Sequence, residues 1–179
     1  TSAMVEWADG LLKTYSNRRG IIATHYILNV DNSWGDSLAY DGLKDNPNLF
    51  LMLCGHVHTS TDGAAQRTET YDGNTVYILM SDYQQFDNGG NGYLRIMEFR
   101  PSDDQIVVST YSPTMNSFLT GSDDNLSLDY EMDASSAFEV IGTVEDVASG
   151  SNASVSWVGL TEETEYEWYA VVSDSESTT

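Results

Sequence analysis

The chain has 179 residues, 40% of them hydrophobic, and carries 28 acidic against 7 basic side chains for a formal net charge of −21. That charge argues against nucleic acid or an anionic membrane as a partner, because both repel such a surface. No apolar run approaches the roughly 20 residues of a membrane span, and the length suits one ordinary domain, or one domain plus part of another.

The opening "TSAMVEWADGLLKTY" reads as the interior of a longer protein, with any signal sequence lying upstream. Residues 3 to 17 are predicted to form an amphipathic helix, with Met4, Trp7, Leu11, Leu12 and Tyr15 recurring at three- and four-residue spacing and Gly20 ending it. "GIIATHYIL" follows as a short β-branched run of the buried-strand type. Residues 29 to 36 read as loop, and 37 to 45 as a short helix capped by Ser37 or Asp36. "LFLMLCG" is the next buried strand, so helix and strand alternate as in a layered α/β unit.

Beyond residue 58 the pattern turns to β structure. "AAQRTETY" and "TVYILMSDYQ", joined at "DGN", predict a hairpin. "NGGNG" marks a second turn, and "YLRIMEFRP" and "QIVVSTYSP" form another strand pair around "SDD". Residues 119 to 136 are acidic linker with one short strand. "FEVIGTVEDV", "ASVSWVGL" and "EYEWYAVVSD" then alternate apolar and polar residues, as strands of an all-β sandwich do. Such a sandwich needs about seven strands. The expected organisation is therefore one domain over 1–132 and a truncated β domain over 133–179.

The acidic balance suits a solvated surface in salty or extracellular surroundings. "GSDDN" and "NVDNS" suggest cation binding, but neither fills the spaced-ligand pattern of a calcium loop. The single cysteine, Cys54, has no internal disulfide partner and sits in an apolar run, where a thiol behaves as a small buried hydrophobe.

The chain has only three histidines, His25, His56 and His58. Each follows an apolar run at a point where a buried strand should end. α/β folds bind ligands at the C-terminal ends of their strands, and neutral imidazole is the commonest protein ligand for transition metals. If "GHVH" stays extended, His56 and His58 point to one side. If the two strands are parallel neighbours, His25 joins them. Asp82 and Tyr83 in "SDYQQ" are candidates for contacts near the site, with a turn-forming role favoured for the aspartate. Asn29, Asp31 and Asp36 line the loop after His25 and read chiefly as solvated loop residues. Trp157, Tyr166 and Trp168 belong to the second domain, where at least one tryptophan should be core. An aromatic sugar-binding platform there has little support.

"GHVH" closing an apolar strand, "THY" after an upstream strand, and the trailing "YILMSDYQ", "GGNGYLRIMEF" and "VVSTYSPTMNSF" resemble the C-terminal half of a calcineurin-like metallophosphoesterase of the secreted bacterial branch, over about residues 3 to 132. The resemblance implies the C-terminal half of an α/β/β/α sandwich. It implies a two-metal centre of Mn, Fe or Zn that hydrolyses a phosphoester substrate, with His25 and His56 on one ion and His58 on the other. The bridging aspartate, the other ligands and the proton donor belong to upstream motifs that do not occur before His25, so no catalytic residue is assigned within these 179 residues. This chain is then expected to be inactive alone. "SVSWVGLTEETEYEWYAVVSD" resembles the start of a fibronectin type III-like domain. Localisation is expected to be secreted or cell-surface. The alternative is a non-catalytic extracellular binding or adhesion module that keeps the fold. A single structural metal site is a weaker third reading, since such sites prefer four closed ligands, usually including cysteine.

Overall fold

The computed structural model describes residues 1–132, 140–162, 164, 166, 168 and 170–172. The chain divides into two compact units, Thr1–Met132 and Asp133–Thr179.

In the first unit, α1 (Ser2–Thr14) leads into β1 (Gly20–Ala23), α2 (Leu38–Leu43), β2 (Leu49–Cys54), β3 (Ala64–Tyr71) and β4 (Asn74–Ser81). These strands make one sheet in the order β1-β2-β4-β3. β1, β2 and β4 run parallel, with Ala23 beside Leu53 and Cys54 beside Met80. β3 returns antiparallel to β4 through Asp72 and Gly73. Both turn residues have positive φ, 47° and 80°, the two-residue turn whose twist matches that of a hairpin. The second sheet comprises β5 (Leu94–Arg100), β6 (Gln105–Ser112), β7 (Ser117–Phe118) and β8 (Leu126–Asp129), with β6 pairing antiparallel to the other three.

β2 explains the layering. Leu49, Met52 and Cys54 join Leu12, Ile27, Leu28, Tyr40 and Leu43 in one core. Phe50 and Leu51 join Ile106, Val108, Leu128 and Met132 in another. Helices therefore cover one face of the first sheet and the second sheet covers the other, an α/β/β stack. A strand buried on both faces reads as a continuous apolar run, which is why "LFLMLC" does not alternate.

Two elements differ from the sequence reading. α1 ends at Thr14 and buries a different arc: Leu12 is buried, with Val5 and Ala8 packed against the core. Met4, Trp7, Leu11 and Tyr15 remain 66%, 65%, 40% and 51% exposed. Close approach selects the arc of smaller side chains. A Cβ at Gly20 would lie 2.4 Å from Leu12 Cδ2, and one at Gly42 would lie 2.3 Å from Val5 Cγ1. The run "GIIATHYIL" is likewise not one strand, since β1 stops at Ala23. The chain then folds back on itself, with Leu28 bridging Trp34 and the Gly35 and Asp36 N–H groups donating to Ile27 O at 2.8 and 3.1 Å. Ile27 and Leu28 still reach the core, but from a loop.

In the second unit, no strand forms among the described residues. The expected strands at 138–147 and 165–174 fall partly outside the described residues. Trp157 packs edge-on to Tyr166, ring centroids 5.3 Å apart, and the Tyr166 hydroxyl accepts the Thr161 N–H at 2.8 Å. Trp157 is half-buried and Trp168 is exposed. No helix among the described residues is long and apolar enough to cross a membrane.

Candidate metal centre

The parallel strands deliver their C-terminal ends to one edge of the sheet, where open α/β sheets place ligands. The β1–β2 ladder continues past the strands: the Thr24 N–H donates to Leu53 O at 2.9 Å, and the Gly55 N–H donates to His25 O at 3.1 Å. These bonds fix the start of both loops side by side.

His56 has φ 75°. The Val57 N–H donates to Gly55 O at 3.0 Å, across His56. This three-residue bond with a positive central φ is the rare, strained form of the γ-turn. "GHVH" is therefore not extended as expected. The turn carries the His56 ring to His25, with centroids 4.4 Å apart and planes tilted 49°. Both side chains are exposed.

Tyr26 packs edge-on to His56, with ring centroids 5.3 Å apart. Its hydroxyl donates to Asn29 Oδ1 at 2.8 Å, and the Asn29 amide donates to Ser33 Oγ and Trp34 O at 3.0 and 3.2 Å. Gly35 is required here, because a Cβ would stand 2.1 Å from the Tyr26 ring. Asp31 accepts from the Ser33 backbone N–H and hydroxyl, which hold its carboxyl below the usual range. Asp36 accepts the Leu38 N–H at 2.9 Å in the turn that leads into α2. Asn29, Asp31 and Asp36 thus fasten the loop that positions Tyr26.

His58 faces elsewhere. Its Nε2 meets the side-chain amide of Gln84, and its Nδ1 is buried without a partner. Gln84 is placed from β4: the Asp82 N–H donates to Gly63 O at 2.7 Å, and the Asp82 carboxylate accepts the Gln84 backbone N–H at 3.1 Å. Asp82 is thus a turn former. Tyr83 is buried, its hydroxyl hydrogen-bonded with Thr110 Oγ1 at 2.9 Å and its ring packed against Phe86 and Tyr93. Burial pushes the Cys54 thiol above its ordinary range, consistent with packing rather than nucleophilic chemistry.

The structure therefore brings His25 and His56 together and turns His58 to Gln84. Among the described residues, no group of three or more His, Cys, Asp or Glu side chains is placed to hold a metal ion. Two exposed imidazoles fit part of one ion's coordination by donor chemistry. No step through a pair of ions follows from these residues. Sequence reasoning missed Tyr26 and Gln84. Tyr26 had a signal, standing next to His25 in "THY". Gln84 had none, since it reaches His58 only because β4 lies parallel beside β2.

No family model matches the chain, and no solved structure matches it. It aligns with "Uncharacterized protein YvnB" of Bacillus subtilis (strain 168), 30% identical over 200 residues that cover 98% of this chain. The chain spans 16% of that relative's length.

Proposed function

We propose that this chain carries the two-imidazole part of a metal-dependent phosphoester hydrolase site. The observation that supports the reading best is the meeting of the His25 and His56 rings, 4.4 Å apart, at the ends of adjacent parallel strands. The motif resemblance supplies the reaction class. On this reading His25 and His56 hold one ion of the Mn, Fe or Zn type. The remaining ligands, including the carboxylate that a second ion needs, come from outside these residues. When bound, the ion supplies Lewis acidity to a phosphoryl oxygen and makes a bound water a better nucleophile.

The chain's own residues prepare that site. The γ-turn at His56 sets its ring beside that of His25 before any ion arrives. Tyr26 and the loop behind it limit the ring's rotation. A surface of charge −21 attracts cations and repels an anionic ester. Recognition of the phosphoryl group therefore falls to the ion.

Calorimetry with inorganic phosphate tests the reading. Phosphate should bind the chain only after zinc or manganese is added, and His56→Ala should remove that binding. Phosphate binding indifferent to metal would contradict it. These residues alone should not turn over a phosphomonoester.

A further inference from the structure

We propose that Asn88 is a site of spontaneous modification: it loses its side-chain nitrogen to attack by the Gly89 backbone and becomes aspartate or isoaspartate, while Asn91 in the same loop is protected. The inference is independent of the metal-site reading.

The chemistry belongs to the Asn-Gly pair, of which the chain has two, Asn88-Gly89 and Asn91-Gly92. The glycine N–H gives its proton to hydroxide, and the nitrogen electron pair attacks the asparagine Cγ. The new N–Cγ bond closes a five-membered succinimide. The Cγ–Nδ2 bond breaks, and the amide nitrogen leaves as ammonia with a proton from solvent. Water then opens the ring at either carbonyl. One water is taken up, one ammonia is released, and nothing is oxidised. Asparagine is thermolabile in proteins, and glycine as the attacking residue brings no Cβ into the way.

The structure separates the two pairs. Both lie in a run of five positive-φ residues after β4, with φ 55°, 73°, 109°, 48° and 71° from Asn88 to Gly92. Asn88 and Gly89 are exposed, and a Cβ at Gly89 would meet nothing within 4 Å. Ring closure rotates the peptide plane between them. That plane is untethered: among the described residues, Asn88 O accepts no hydrogen bond and the Gly89 N–H donates none. Only the Asn88 side chain is held, its Nδ2 donating to Asn91 Oδ1 at 3.0 Å.

The Asn91–Gly92 plane is tied down. The buried Ser112 hydroxyl donates to Asn91 O at 2.5 Å, and the Asn91 N–H donates to Asp87 O at 2.9 Å. A Cβ at Gly92 would stand 2.6 Å from Thr114 Oγ1, so the plane also has a wall beside it. Rotation there must break the Ser112 bond, which alone slows the reaction by about 2–10-fold. The products at residue 88 differ in consequence. Aspartate tolerates the left-handed backbone. Isoaspartate lengthens the main chain by one carbon, two residues before Gly90, where a Cβ would lie only 3.1 Å from Tyr83 O.

The experiment incubates the full chain in mildly alkaline buffer made with oxygen-18 water, folded and in urea, and maps the peptides by mass spectrometry over time. Electron-transfer fragmentation locates the labelled carboxylate and tells aspartate from isoaspartate. In the folded chain Asn88 should convert faster than Asn91 by about 2–10-fold or more. In urea the two rates should converge, because the tether and the wall are gone. Equal rates in the folded chain, or Asn91 converting first, would overturn the proposal. So would an Asn88 that stays intact in the folded chain over the time in which the urea-unfolded chain converts.

Discussion

The imidazole of His56 is held 4.4 Å from that of His25 by a turn that a histidine adopts only under strain, with φ 75° at its centre. Positive-φ backbone at a residue with a Cβ costs on the order of 1–3 kcal/mol and persists where surrounding structure enforces it. Glycine adopts that conformation freely. His56→Gly should therefore raise the unfolding free energy, by about 1 kcal/mol after allowing for glycine's greater freedom in the unfolded chain. It should also lose metal binding. Urea unfolding beside a zinc titration measures both, and a destabilised variant would show that the turn is not strained.

Close packing of the loop under the site predicts the opposite result at Gly63. A Cβ there would meet Asp82 O at 2.3 Å and Tyr83 Cδ1 at 2.7 Å. Backbone cannot yield as a flexible side-chain tip can, so Gly63→Ala should cost about 1–3 kcal/mol, typical of overpacking. Thermal unfolding checks the effect.

The helix face is tested by a pair of substitutions in α1. Leu12 is buried over Gly20, whereas Trp7 is 65% exposed. Leu12→Ala should destabilise by about 2–5 kcal/mol. Trp7→Ala should change stability by no more than about 0.5 kcal/mol, as surface substitutions do. Equal costs would return Trp7 to the core.

A pH dependence follows from Asp124. Burial raises its carboxyl above the ordinary aspartate range, against the lowering effect of the Thr110 hydrogen bond and Arg95, and its Oδ1 has no partner. The folded state thus holds this proton more tightly than the unfolded chain does. The resulting stabilisation is complete below the ordinary aspartate pKa and is lost as pH rises through the raised value. Asp124→Asn cannot ionise. It should be more stable than the parent at pH 7, with the difference shrinking as pH falls towards the ordinary aspartate range. Denaturant melts at several pH values would show the trend, and a constant difference would contradict it.

Much of the fold was legible where one local rule decided the outcome. Asp72 and Gly73 announce their hairpin because few residue pairs tolerate two positive φ angles. "LFLMLC" announces a strand buried on both faces. The orientation of α1 was not legible, because Met4, Trp7 and Leu11 share the helical period of Val5, Ala8 and Leu12. Side-chain size misleads where Gly20 and Gly42 leave room only for close contact. The convergence of His25 and His56 was legible from their positions at strand ends. The γ-turn was not, since no propensity places a histidine there. Nor was the diversion of His58 to Gln84, which depends on the parallel register of β2 and β4.

The most direct test of the central claim is a zinc titration followed by the imidazole nitrogen NMR signals of the three histidines. One nitrogen each of His25 and His56 should shift together at the first equivalent. His25→Ala or His56→Ala should weaken zinc binding by more than about 100-fold, beyond the usual cost of losing a supporting outer-shell group. If zinc leaves both rings unperturbed, or binds equally well without either, the pair is not a metal centre.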